Sequence, residues 1–422
     1  MTAGSPVSLD PVEVGNMIVA TGTYGDPARY HGLLTRLRSE CPVFHAAPDG
    51  YQPFWMVTRH GDIRDVELNT ATFINAPRLV LRSDALNAHI SQLTGGRPFM
   101  FLNLTNMDGA QHNAFRKMTH AWFLPVRVKK LEDEIRGHAR MYIDRMLAMG
   151  GKCDFVRDVA VWYPLRVIMT ILGVPPEDEP KMLMLTQQLF GSDDPEIKGE
   201  LQGDLIETIN SFFEYFRGII ADRRAKPTDD VATVIAHAEA DGRPLTEQEI
   251  LSYYILIATA GHDTTSSTMA GGMHALAQHP EQYEMLRADP SLLPKAIDEM
   301  LRWVTPVTHF FRTAVQDAVV GGQEIKAGES LLMCYPSANR DEAVFSDPFR
   351  FDIARSPNAH LAFGYGPHVC LGQHLAKLEI RVFFEEFLSR VEKIELAGEP
   401  AWVAANFVGG LKRMPMSFQA AG

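Results

Sequence analysis

Two short stretches of this chain carry residue types that can do chemistry. Residues 363–388 read FGYGPHVCLGQHLAKLEIRVFFEEFL, which sets Cys370 after a Gly-rich turn and just ahead of a helical pattern. Gly364 and Gly366 permit backbone angles closed to other residues, Pro367 stiffens the loop, and Gly372 admits close approach of a bulky object. A cysteine at a helix start has its thiolate stabilised by unpaired N–H groups and the helix dipole, which makes it a good metal ligand. Residues 260–268 read AGHDTTSST, where Asp263 and Thr264 are an acid and a hydroxyl of the kinds that relay protons. Taken alone, Cys370 could be an inert buried thiol and the second stretch an exposed polar strip. Their presence in one chain favours chemistry.

The elements that must position these residues are mostly helical. A long central helix is expected from Thr246, which forms a capping-box pattern with Glu249, to a stop at Pro280. That is room for roughly 33 residues, or about 50 Å at ~1.5 Å per residue. Further helical patterns cover 127–149, 162–172, 201–224, 292–303 and 374–388, while strand-like pieces are short, at 54–58, 318–325 and 330–335. The expected class is mainly α with a minor β region. Residues 75–107 and 189–200 fit neither period and are read as substrate gates, since long loops in compact domains are often functional. No repeat, low-complexity tract or linker divides the chain, so 1–422 is read as one domain.

Composition narrows the function class. Of 422 residues, 46% are hydrophobic and 22% charged, as in a folded globular protein. No run of 18 uncharged apolar residues is present, so no membrane span is expected, and the N-terminal residues lack the basic and apolar regions of a signal peptide. The expected location is cytoplasmic. A net charge of −12 argues against nonspecific nucleic-acid binding, which needs Lys and Arg to neutralise phosphates. Cys41, Cys153, Cys334 and Cys370 are scattered, with no C-x-x-C pair to suggest zinc or a redox dithiol.

The pattern F-G-x-G-x-H-x-C-x-G beginning at Phe363 resembles the haem-binding signature of the cytochrome P450 family, most closely its soluble bacterial members, in which the cysteine thiolate is the axial ligand of haem iron. The family's E-x-x-R motif is matched by Glu299 and Arg302, and its F-x-x-P-x-R-F motif by FSDPFRF, which supplies Arg350 to a buried structural network. His112 and Arg116, four apart, match the helix that binds haem propionates, and Arg312 and His368 match the remaining propionate positions. The resemblance implies the family's triangular α-rich prism, with haem b between the central helix and the Cys370 loop. Phe363, Gly364 and Gly372 belong to that loop, while Ala260 and Gly261 leave space over the haem for O₂ and substrate.

The implied reaction uses O₂, two electrons and two protons to insert one oxygen atom into a substrate, most simply by C–H hydroxylation, with Asp263 and Thr264 delivering protons. His262 and residues 265–268 have no assigned role. Electrons are expected from NAD(P)H through a ferredoxin reductase and a ferredoxin, which would dock on Arg116, Lys117, Arg127, Lys129, Lys130 and Lys377. By family analogy the substrate pocket takes Met100, Leu102, Leu256, Thr259, Val307, His309, Phe407 and Val408, with Thr259 or His309 orienting a polar group. A small hydrophobic terpenoid or aromatic substrate is favoured, with steroid or fatty-acyl hydroxylation as the alternative. A peroxide-driven haem enzyme and a non-catalytic haem-thiolate sensor are the rival classes.

Overall fold

The computed structural model describes residues 9–190, 194, 196–197 and 205–422. Three of the six expected helices form within a residue or two of their patterns: Trp162–Ile171, Leu293–Val304 and Gln373–Arg390, the last being the cysteine helix. The 127–149 pattern resolves into Glu132–Leu147 after a pair of short turns, and the 201–224 pattern is described from Leu205 to Ala225. The 75–107 stretch is not one loop, because a helix runs through it at Asp84–Thr94, closed by Gly95 in the left-handed conformation. The 189–200 stretch lies largely outside the described residues. Its Asp194 is fully buried and ties the stretch to the C-terminal segment through the Ala404 N–H at 2.7 Å and Lys412 Nζ at 3.1 Å.

A five-stranded sheet runs in the order Val43–Ala46, Phe54–Val57, Ser330–Cys334, His309–Ala314, Phe73–Ile74. Only the Phe54–Val57 and Ser330–Cys334 pair is parallel, in the register Met56 to Leu332. The 318–325 pattern is a hairpin, Ala318–Val320 against Gln323–Ile325, turning at Gly321 and Gly322, both with positive φ. A second sheet places Pro415–Ala420 between Val391–Leu396 and Lys152–Asp154, so the end of the chain is fastened beside the cysteine helix.

The cysteine helix is anchored on both faces. Its apolar side, with Phe383 and Phe387, packs against Phe155 and Tyr163. Its polar side forms a lattice of charges with Glu132–Leu147, where Arg136 meets Glu385 and Glu386 and Arg381 meets Glu132. No described helix is long and apolar enough to cross a membrane.

The central helix is not continuous. It begins with the expected capping box, Thr246 N–H donating to Glu249 Oε2 at 2.7 Å and Glu249 N–H to Thr246 Oγ1 at 3.3 Å. It then divides into Glu247–Ala260 and Asp263–Gln278, interrupted at Gly261 and His262. The regular bond stretches to 3.4 Å at Gly261 N to Ile257 O, and the Thr264 hydroxyl donates to the Ala260 carbonyl at 2.8 Å. A side chain thus bonds the carbonyl at the end of the first half, the kind of intrusion that bends a helix. Hydroxyls elsewhere on the helix turn back in the same way, Thr259 to Ile255 O and Thr268 to Thr264 O. Thr265, Ser266 and Thr268 are buried, which is how so polar a run sits inside the protein.

Candidate active site

Gly364 and Gly366 both adopt positive φ, near 69° and 68°, and a Cβ on Gly366 would sit 2.8 Å from the Glu67 carbonyl. The loop closes through Cys370 N–H to Phe363 O at 2.9 Å. Gly372 caps the cysteine helix, and the N–H groups of Gly372 and Gln373 are directed at the Cys370 sulfur. Burial pushes the thiol up, while those two N–H groups and the Arg116 guanidinium pull it down. Burial dominates and raises the free thiol, and the two N–H groups and Arg116 are placed to oppose that cost when the half-buried sulfur is ionised.

Around it lies a cluster of donors. The rings of His112 and His368 stand 3.9 Å apart, Asn75 Nδ2 is 3.2 Å from His368 Nδ1, and Arg116 donates to Val369 O at 2.7 Å. Burial and the positive charges of Arg312 and Arg116, with His112 beside it, depress His368 to about 3. Arg312 is less free than the sequence suggests. Its Nη2 donates to Glu67 Oε1 at 2.9 Å, its Nη1 to Phe311 O, and only Nε is left, buried and without a hydrogen-bond partner. Glu67, held also by the Tyr335 hydroxyl at 2.6 Å, is a site residue that no local motif marked. Donors from His112, Arg116, His368 and Asn75, with an orphaned Arg312 Nε and a sulfur held by N–H groups, fit a ligand with a metal at its centre and anionic arms at its edge. Haem is such a ligand.

The buried network behind the loop corrects one sequence expectation. Arg302 makes a two-pronged pair with Glu299, Nε to Oε2 and Nη2 to Oε1, both 2.7 Å, with neither residue exposed. The third partner is Arg355, not Arg350: Arg355 Nε reaches Glu299 Oε2 at 3.1 Å. The Arg350 side chain is exposed, and only its carbonyl takes part, accepting from Arg302 and Arg355. The backbone turn after Asp347, whose φ is 46°, carries the Arg350 side chain outward and brings Arg355 back in. Asn339 extends the network toward the cysteine loop by accepting from Leu361 N–H at 2.6 Å.

At the central helix, Asp263 Oδ1 lies 3.2 Å from His262 Nδ1, while Oδ2 is buried without a partner. Burial raises the Asp263 carboxyl above the ordinary range and His262 opposes that shift. His262 is fully buried, with Nε2 2.7 Å from Val161 O and Nδ1 3.3 Å from Thr186 Oγ1. Ala260 is exposed, but Gly261 does not border open space. A Cβ there would stand 2.4 Å from Ile168 Cδ1, so its smallness serves helix packing.

Four expected substrate contacts meet in one place. Val307 and Val408 form an isolated antiparallel bridge, Thr308 N–H donates to Phe407 O, and the His309 and Phe407 rings stand 5.6 Å apart. His309 cannot orient a substrate as expected, because the protein uses both ring nitrogens. Nε2 accepts from Leu81 N–H at 3.0 Å and Nδ1 meets Thr308 Oγ1 at 2.9 Å. Thr259 likewise spends its hydroxyl proton on Ile255 O. Met100 and Leu256 pack on the main core, whereas Leu102 is 36% exposed. A separate groove of about 1250 Å³, bordered by His31, His274, Trp303 and Trp402, contains none of these residues.

Only part of the expected docking patch is free of ion pairs. Arg116 turns inward to Val369, Arg127 pairs with Asp229 and Lys377 with Asp298, which leaves Lys117, Lys129 and Lys130 exposed without an ion pair among the described residues.

Comparison with known proteins shows what the whole chain is similar to. The family model described as Cytochrome P450 matches residues 179–399. The chain is 43% identical to "Cytochrome P450-terp" of a Pseudomonas species, over 97% of this chain and 98% of the relative. It is 39% identical to a "Steroid C26-monooxygenase" of Mycolicibacterium smegmatis, over 76% of this chain and 80% of the relative. Among solved structures, CYP108D1 from Novosphingobium aromaticivorans superposes with a TM-score of 0.91 at 44% identity, covering 97% of this chain and 99% of that one.

Proposed function

The chain belongs to the cytochrome P450 family, whose members among its relatives are monooxygenases, and from that premise we propose that it hydroxylates a compact hydrophobic substrate, a terpenoid or aromatic molecule, with electrons from a ferredoxin. The single observation that carries the reading is that Asp263, with an unpartnered Oδ2, and Thr264, whose hydroxyl bonds the Ala260 carbonyl, stand in succession at the break of the central helix.

In this reading Cys370 would hold the haem iron through its sulfur, and His112, Arg116 and His368 would hold the propionates, with Asn75 and the Arg312 Nε beside them. Bound haem supplies the chemistry of O₂ activation, which the thiolate favours. The protein's own part is to move protons while keeping bulk water away. Burial raises the Asp263 carboxyl above its ordinary range, and its Oδ2 has no hydrogen-bond partner in the protein, which suits it to take up and release a proton. The Thr264 hydroxyl, fixed by the Ala260 carbonyl, keeps its lone pairs for a second hydrogen bond. Gly261 against Ile168, and His262 against Val161, keep the break in register.

The substrate ranking is supported by two features. The 43% relative spans nearly the whole chain and its name points to terpenes, whereas the steroid enzyme matches three quarters of it. Val307, Val408 and Phe407 form an apolar cluster, and the two polar residues expected to orient a substrate, His309 and Thr259, are already engaged. Substrate-induced spectral shifts of the holoenzyme test this. Shifts with monoterpenes or simple aromatics are expected, and shifts with steroids alone overturn the ranking. Product formation that requires ferredoxin and reductase is expected. Turnover on peroxide alone, unchanged in Thr264→Ala, would favour the peroxide-driven rival.

A further inference from the structure

His262 occupies a position for which the sequence suggests no role, yet it is fully buried and all its polar contacts are defined. Val161 O can only accept, so Nε2, 2.7 Å away, carries a hydrogen. The Thr186 hydroxyl lies 2.9 Å from Leu183 O and 3.3 Å from Nδ1, and with its proton on the nearer carbonyl it faces Nδ1 with its lone pairs. Asp263 Oδ1 is the other neighbour of Nδ1, at 3.2 Å. Without a proton in that gap, the lone pairs of Nδ1, Oδ1 and Oγ1 would oppose one another inside the protein, at a cost no other contact offsets. One proton therefore belongs between Nδ1 and Oδ1, on whichever atom holds it at a given instant.

We propose that His262 and Asp263 share this proton as one unit, with His262 the positioning residue that fixes Asp263 at the helix break and leaves Oδ2 as the oxygen that takes up and releases the delivered proton. The inference rests on the reading of Asp263 as the proton-delivery acid. In the step, a proton binds Oδ2 while the Nδ1–Oδ1 proton stays, giving the pair one positive charge; release from Oδ2 restores neutrality. One O–H bond forms and then breaks, and no electrons move. His262 is the only charge acting on Asp263 among the described residues: Arg166, on the neighbouring Trp162–Ile171 helix, is turned to Glu179 at 2.7 Å, and the Glu179–Phe190 helix presents the neutral Thr186. The direction of its influence follows, since a positive imidazole makes the Oδ2 proton easier to release.

The test uses the holoenzyme in its diamagnetic ferrous–CO form, labelled with ¹⁵N-histidine, beside His262→Gln and Asp263→Asn. An exchange-protected, low-field proton resonance is expected in the parent and absent from both variants. In turnover with ferredoxin and reductase, His262→Gln should shift the pH profile of product formed per NAD(P)H upward by about one unit, because one pKa unit is the scale of a lost neighbouring charge. A purely structural His262 would lower yield at every pH without moving the profile, and that result overturns the inference, as does a parent lacking the low-field proton. Should His262→Gln fail to fold, the parent resonance and Asp263→Asn still decide. Asp263→Asn with unchanged coupling would instead sink the underlying reading of Asp263 as the acid.

Discussion

Replacing Arg355 and Arg350 separately by Met distinguishes the network seen here from the one a motif match suggests. Arg355 is 8% exposed and gives Glu299 a hydrogen bond of 3.1 Å, while its other nitrogens hold the carbonyls of Ser346, Asp347 and Arg350. Those contacts also hold Asp347 at a φ of 46°, a conformation that persists only where surroundings impose it. Breaking a buried charge pair costs about 3–5 kcal/mol. Glu299 would keep Arg302, the Asp352 N–H and Asn358, so the low end, about 3 kcal/mol, applies to Arg355→Met. With about 2.1 cal/mol/K of unfolding entropy per residue, this chain has roughly 0.9 kcal/mol/K, and Tm should fall by roughly 3 °C. Arg350→Met, at an exposed side chain, should stay within about 0.5 kcal/mol of the parent. Thermal unfolding followed by far-UV circular dichroism at one scan rate measures both. Equal losses in the two variants, or a larger loss for Arg350→Met, would refute the reasoning.

Burial and the Arg78 charge hold His309 at about 3, so it stays neutral in the fold while the unfolded chain protonates near 6.5. Between those values the unfolded state binds more protons. The His309 contribution is therefore complete above about pH 6.5 and is lost on acidification at about 1.4 kcal/mol per pH unit. His309→Gln, which can offer Leu81 N–H an acceptor without titrating, should flatten the stability curve between pH 6 and 4 by about that slope in urea titrations; an unchanged slope contradicts it. Gly261→Ala should cost about 1–3 kcal/mol by overpacking against Ile168, and Ile168→Val should recover part of the loss if that contact is the cause. Thr264→Ala should bind haem normally yet release peroxide and lower product per NAD(P)H; full coupling in that variant would contradict its assigned role.

The cysteine loop was legible because its geometry is written in residue types: Gly364 and Gly366 stand where positive φ is needed, and the sulfur meets N–H groups that any helix start provides. The capping box at Thr246 was equally local. What the sequence did not disclose depends on distant segments. Arg350 and Arg355 lie on one irregular loop, and which of them turns toward Glu299 is set by the path after Asp347. The central helix has no proline between its start and its stop at Pro280, so its full interruption is visible only once the Val161 carbonyl and Ile168 are placed against His262 and Gly261. His309 and Thr259 have types suited to a ligand, but Leu81 and the helix backbone claim them first. Glu67 and Asn75 belong to no local pattern and reach the site only through tertiary structure.

The central claim is that Cys370, among four free cysteines, presents its sulfur to haem iron. The CO-difference spectrum of the reduced holoenzyme measures it most directly, compared across Cys370→Ser and single Ser variants at Cys41, Cys153 and Cys334. The account predicts the red-shifted thiolate-type band in the parent and in the three other variants, and its loss in Cys370→Ser. A thiolate band that survives in Cys370→Ser, or that is absent from folded, haem-loaded parent protein, would contradict it.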